Sequence, residues 1–117
     1  MTEVPQATRV LSASADPALR QTRELVLIGE GCEVTTSLSK AHAHELTKSH
    51  VFDVLVFGNS LSRDTCQELA RSFRLRNPQG KIIEILASKW DPPMNQPDAV
   101  AAGPEELVSL IRCFAQA

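Results

Sequence analysis

No stretch of this chain approaches the roughly 18 consecutive apolar residues that a membrane span needs. Its opening segment, MTEVPQATR, has no apolar core of the kind that marks a secretory leader. A cytoplasmic protein is the expectation. Cysteine is scarce as well: Cys32, Cys66 and Cys113 are odd in number and far apart, which argues against a disulfide framework and for reduced thiols in or near the core. No CxxC or HExxH spacing occurs, and His42 and His44, two residues apart, face different sides of a helix. A metal site is therefore not expected. Neither GxGxxG nor GxxxxGK[ST] is present, so no glycine-rich phosphate loop is available. Charge of neither sign dominates, with 12 Lys and Arg against 14 Asp and Glu and a net charge of −2. That balance gives no electrostatic reason to expect a nucleic acid or an anionic membrane as partner. Arg71, Arg74, Arg76 and Lys81 do cluster, but at the end of a predicted helix, where cations offset the macrodipole.

What is there is a single domain's worth of chain, 117 residues, able to bury a core without staples. Residues 1–8 read as a polar tail and 9–117 as the domain. RVLSA, 9–13, reads as a first strand. Asp16 as N-cap and Pro17 at the first helical position then open a helix through Leu19, Thr22, Leu25, Val26 and Ile28, stopped by Gly29 and Gly31. EVTTSL, 33–38, is a weaker β-branched strand. Ser39 caps a second helix whose inner face is Ala43, Leu46, Thr47 and His50. Val54 to Phe57, closed by Gly58 and Asn59, is an apolar run that reads as a central strand. Ser62 caps a third helix with Cys66, Leu69, Ala70 and Phe73 inward, ended by Asn77, Pro78 and Gly80. KIIEILA, 81–87, is a fourth strand. Pro92, Pro93 and Pro97 then bar a helix of ordinary length, so 88–98 is expected to be irregular. A short fifth strand at 99–102 precedes a last helix opened by Pro104, Glu105 and Glu106, with Leu107, Leu110, Ile111 and Phe114 as its stripe.

Strands spaced by helices of this length make βαβ units and a five-stranded parallel sheet in the flavodoxin-like order 2-1-3-4-5, with the fourth helix short or missing. Phe57, Leu25, Ile83 and Leu110 are expected to be buried around it. In such sheets the active residues gather at the carboxyl ends of the strands. The central strand ends here without an acid, a base or a nucleophile.

With RVLSASADPALR, FDVLVFGNSL and PEELVSLI as landmarks, residues 9–115 resemble the CheY-like receiver domain of bacterial response regulators. The GNSL turn also resembles the Gly-His-Ser-Ile-Pro turn of a group of atypical standalone receivers. The resemblance implies where the family's functional groups fall. Ser14 and Ala15 stand at the metal-binding acids, ahead of Asp16 and Pro17. Gly58 stands at the phosphate-accepting aspartate. The switch threonine or serine maps to Leu86, or to Ser88 in a register shifted by two, and the lysine maps to about Val100. Mg²⁺ needs hard oxygen ligands and phosphoryl transfer needs an acceptor carboxylate, which neither serine nor glycine supplies. Asp53 lies too near the strand's start to substitute.

The resemblance therefore implies a pseudoreceiver: a non-enzymatic signalling module, without a cofactor, that works through a protein partner, with a homodimer left open. The alternative is a small-ligand sensor using the vacated pocket around Ser14, Gly58, Asn59 and Ser88. For Gly58 itself the sequence reading is a turn that needs either a positive φ or close packing. Trp90, on the proline-rich loop, is either the anchor of the partner surface or a lid over the core.

Overall fold

The computed structural model describes residues 8–14, 17–37, 39–58, 61–86 and 97–115. Five strands, β1 (Arg9–Ala13), β2 (Glu33–Thr36), β3 (Val54–Gly58), β4 (Lys81–Ile85) and β5 (Ala99–Ala101), form one parallel sheet in the order β2-β1-β3-β4-β5. Among the described residues four helices flank it: α1 (Pro17–Gly29), α2 (Lys40–Ser49), α3 (Arg63–Arg76) and α4 (Pro104–Ala115). The expected architecture and strand order hold. Of the irregular segment, only Pro97 and Asp98 are among the described residues, and Trp90 and Ser88 lie outside them.

The local signals explain the elements. Ser39 Oγ accepts the N–H of His42 at 3.1 Å to start α2, and Ser62 Oγ accepts that of Thr65 at 3.2 Å to start α3. Asp64 in the first turn of α3 and Arg74 and Arg76 in its last complement the dipole. Glu106 reaches back from the first turn of α4 to the N–H of Ala102. The connection from α1 to β2 turns at Gly31, whose φ of 79° favours glycine.

Alternation along the strands divides the core in two. Leu11, Ala13, Leu55, Phe57 and Ile82 pack with Ala43 and Leu46 of α2 and with Cys66, Leu69 and Phe73 of α3. Val10, Val54, Val56, Ile83 and Ala101 pack with Leu27 of α1 and Leu107 and Ile111 of α4.

Five side-chain expectations need correction. Leu25 is 65% exposed and Ile28 52%. Arg23 and Leu27, one turn apart, are buried instead, because the run from Leu25 to Ile28 points apolar groups in every direction and the sheet selects one of them. His50 is exposed, because it is the C-cap of α2 and its extended backbone leaves the helical face. Cys113 is exposed on the outer side of α4, Cys32 is half-buried and Cys66 is buried. Leu110 is only partly buried, at the margin of the α1/α4 cluster.

Candidate functional site

The ladder aligns the carboxyl ends of the strands. Ala13 pairs with Phe57, Gly58 with Ile85, and Ile85 with Ala101. Leu86 continues the edge, donating its N–H to the Ala101 carbonyl at 2.8 Å. Ser14 follows Ala13 and is buried. By alternation, Ser14, Gly58 and Ile85 present to the α1/α4 face, whereas Leu86 and Val100 belong to the face of Phe57 and Glu84. The positions assigned by resemblance thus divide between the two sides of the sheet. Ala15, Asp16 and Asn59 lie outside the described residues, as does Trp90.

The side chain that occupies the centre of this edge is Arg23. It is 7% exposed, and its Nη2 lies 2.8 Å from where a Cβ on Gly58 would sit. Its Cζ is 3.4 Å from the same point, and the Ile85 carbonyl oxygen is 3.3 Å away. α1 starts at the carboxyl edge and runs back along the sheet, and side chains on a helix lean toward its N-terminus. An arginine six residues into the helix therefore reaches the carboxyl edge. Gly58 does not have a positive φ, so of the two requirements read for this glycine, close packing is the one the structure imposes. The sequence signal for Arg23 was available only as a cation one turn ahead of Leu27 on α1. A rule that turns charges outward hides it.

Two hydroxyls interrupt the otherwise apolar α1-facing side of the sheet. Ser12 and Thr36 are register partners across β1 and β2, and both hydroxyls are buried without a hydrogen-bond partner among the described residues. Glu84 is a second buried charged residue that sequence reading passed over, on the opposite face between Phe57 and Val100 in the ladder.

These groups do not fit a divalent cation. Ser14 offers at most a hydroxyl, Gly58 offers no side-chain oxygen, and the guanidinium beside them would repel the ion. Among the described residues no three His, Cys, Asp or Glu converge as metal ligands. His44 Nε2 instead faces Glu68 Oε2 at 3.1 Å, joining α2 to α3. Asp53 sits at the amino edge, where its Oδ2 accepts the Arg9 N–H at 2.9 Å. A groove of about 710 Å³ opens at that edge between Thr8, Asp53, Asn77, Lys81 and Phe114, away from Gly58, and it holds neither histidine nor cysteine.

Three titrating groups are displaced by their surroundings. Arg112 of α4 binds Glu30 in a fork, at 2.8 and 3.1 Å, and these hydrogen bonds and its charge hold the Glu30 carboxyl below the ordinary range. The same pairing pushes the Arg112 guanidinium up. Burial, reinforced by the Glu30 charge, pushes the Cys32 thiol up, which makes it a poor nucleophile at neutral pH.

No family model matches the sequence, and no curated protein matches it. Solved structures do match, and they share the fold. A receiver domain protein (CheY-like) from Methanospirillum hungatei JF-1 is 20% identical with a TM-score of 0.76, over 95% of each chain. The chemotaxis response regulator CheY4 of Vibrio cholerae is 18% identical with a TM-score of 0.76, over 93% of this chain and 99% of its own. The receiver domain of a sensor histidine kinase from Pseudomonas aeruginosa PAO1, with a magnesium ion coordinated in its active site cleft, is 14% identical with a TM-score of 0.74, over 96% of this chain and all of its own. The chain has the CheY-like receiver fold.

Proposed function

We propose that this protein is a phosphorylation-incompetent receiver, a cytoplasmic, non-enzymatic signalling module that acts by binding a protein partner. The observation that carries this reading is the content of the carboxyl edge: a glycine at the acceptor position, with an arginine guanidinium 2.8 Å from its missing Cβ. The Pseudomonas domain coordinates magnesium in its cleft. In this chain the corresponding edge offers the described side chains of Ser14 and Arg23, a set suited to neither metal capture nor carboxylate attack. An intact scaffold without the transfer chemistry is what a binding module retains. Incubation with Mg²⁺ and acetyl phosphate should leave the intact mass unchanged. A gain of one phosphoryl group, lost on treatment with hydroxylamine, would defeat the proposal.

The partner surface belongs in this reading to the carboxyl edge, with Trp90 as its anchor. Trp90→Ala should weaken capture of the physiological partner while leaving the melting temperature in place. A marked loss of stability would make Trp90 a core lid instead.

A further inference from the structure

Gly58 and Arg23 are mutually dependent. The backbone at Gly58 carries no left-handed strain that would exclude other residues, so the restriction on a side chain there is steric, and it comes from Arg23 Nη2 at 2.8 Å and the Ile85 carbonyl at 3.3 Å. The carbonyl is fixed by the β3–β4 ladder, and its oxygen can yield by only a few tenths of an ångström. The guanidinium is instead the far end of a flexible side chain, so a close approach to it costs less than one to backbone. It stays charged at any working pH, and its fork of N–H donors matches a carboxylate.

We propose that Arg23 is the resident cation of this edge, standing where an acceptor side chain would project, so that a carboxylate placed at residue 58 is captured by the guanidinium as an ion pair instead of serving a metal. Arg23 is thus a specificity-determining residue that keeps the edge metal-independent. The inference rests on the pseudoreceiver reading and adds a cause to it. Loss of the acceptor is only part of the change, and restoring the acceptor alone leaves the edge closed to a divalent cation.

The test compares Gly58→Asp with its neutral isostere Gly58→Asn, each with Arg23 present and with Arg23→Met, by urea unfolding in EDTA and in millimolar Mg²⁺. The two residue-58 variants press nearly the same atoms against Ile85, so their packing costs largely cancel and the charge remains. With Arg23 present, the folded-to-unfolded ratio of Gly58→Asp should exceed that of Gly58→Asn about tenfold, the expectation for a charge-assisted pair sheltered from solvent. With Arg23→Met the order should reverse, and Mg²⁺ should leave the Arg23-containing Gly58→Asp unchanged. Equal stability of the two variants with Arg23 present would overturn the inference, as would stabilisation of Gly58→Asp by Mg²⁺ in that background. If Arg23→Met does not fold, the comparison with Arg23 present decides alone. Phosphoryl uptake by the unaltered chain would refute the function proposed above without bearing on this comparison, so the two failures are distinguishable.

Discussion

Gly80→Ala should destabilise the protein although alanine is the smallest side chain that could be added. A Cβ at Gly80 would lie 2.4 Å from Phe73 Cζ, 2.7 Å from Cε1 and 3.0 Å from Cε2, well inside van der Waals contact. Neither side can move away freely. Phe73 is 2% exposed within the α2/α3 core. Gly80 is held by its N–H bond to the Asn77 carbonyl at 3.0 Å, and the next residue, Lys81, is bonded to the Asp53 carbonyl at 3.0 Å. Asn77 itself is pinned by its side-chain bond to the Phe52 carbonyl at 2.9 Å. Overpacking against an aromatic ring in a closed core costs about 1–3 kcal/mol, a large share of the roughly 5–15 kcal/mol that holds a domain together. At a urea slope of about 1–3 kcal/mol per molar, a loss near the middle of that range moves the unfolding midpoint by about 1 M. Phe73→Leu, which removes the ring edge, should by itself cost about 1 kcal/mol. Combined with Gly80→Ala it should recover part of the loss, because the clash is shared by the two residues. An unchanged midpoint for Gly80→Ala, or strictly additive costs in the double variant, would refute the placement of Gly80 against the ring.

The orientation of α1 separates two neighbouring leucines. Leu27→Ala should cost about 2–5 kcal/mol and Leu25→Ala stay within about 0.5 kcal/mol, read from urea midpoints; the reverse order would mean that the helix is rotated. The Glu30–Arg112 fork predicts an acid limb. Because the folded-state carboxyl lies below its unfolded value, its stabilisation is complete above the unfolded pKa and is lost as pH falls through the folded one. Glu30→Gln should therefore reduce stability at neutral pH and flatten its fall below about pH 4.3, as followed by melting temperature against pH. An acid limb as steep as that of the parent chain would show that the fork contributes nothing.

The helix starts and the central place of β3 were legible because their causes are local. Ser39 and Ser62 satisfy the first N–H groups of their own helices, Pro17 and Pro104 open α1 and α4, and the apolar run at 54–57 can be buried on both sides only in the middle of a sheet. Under the proposed alignment the carboxyl edge was legible as an absence, since glycine at residue 58 brings no side chain that could accept a phosphoryl group. What fills that absence could be decided only by packing. Arg23 and Gly58 are 35 positions apart in the chain. They meet because β1 lies beside β3 and because α1 rotates Leu27, and not Leu25, toward the sheet. Local hydrophobicity does not distinguish those two leucines. The sheet does, by burying the face that fills the space beside Val10 and Val56, and the arginine one turn earlier is carried inward with it.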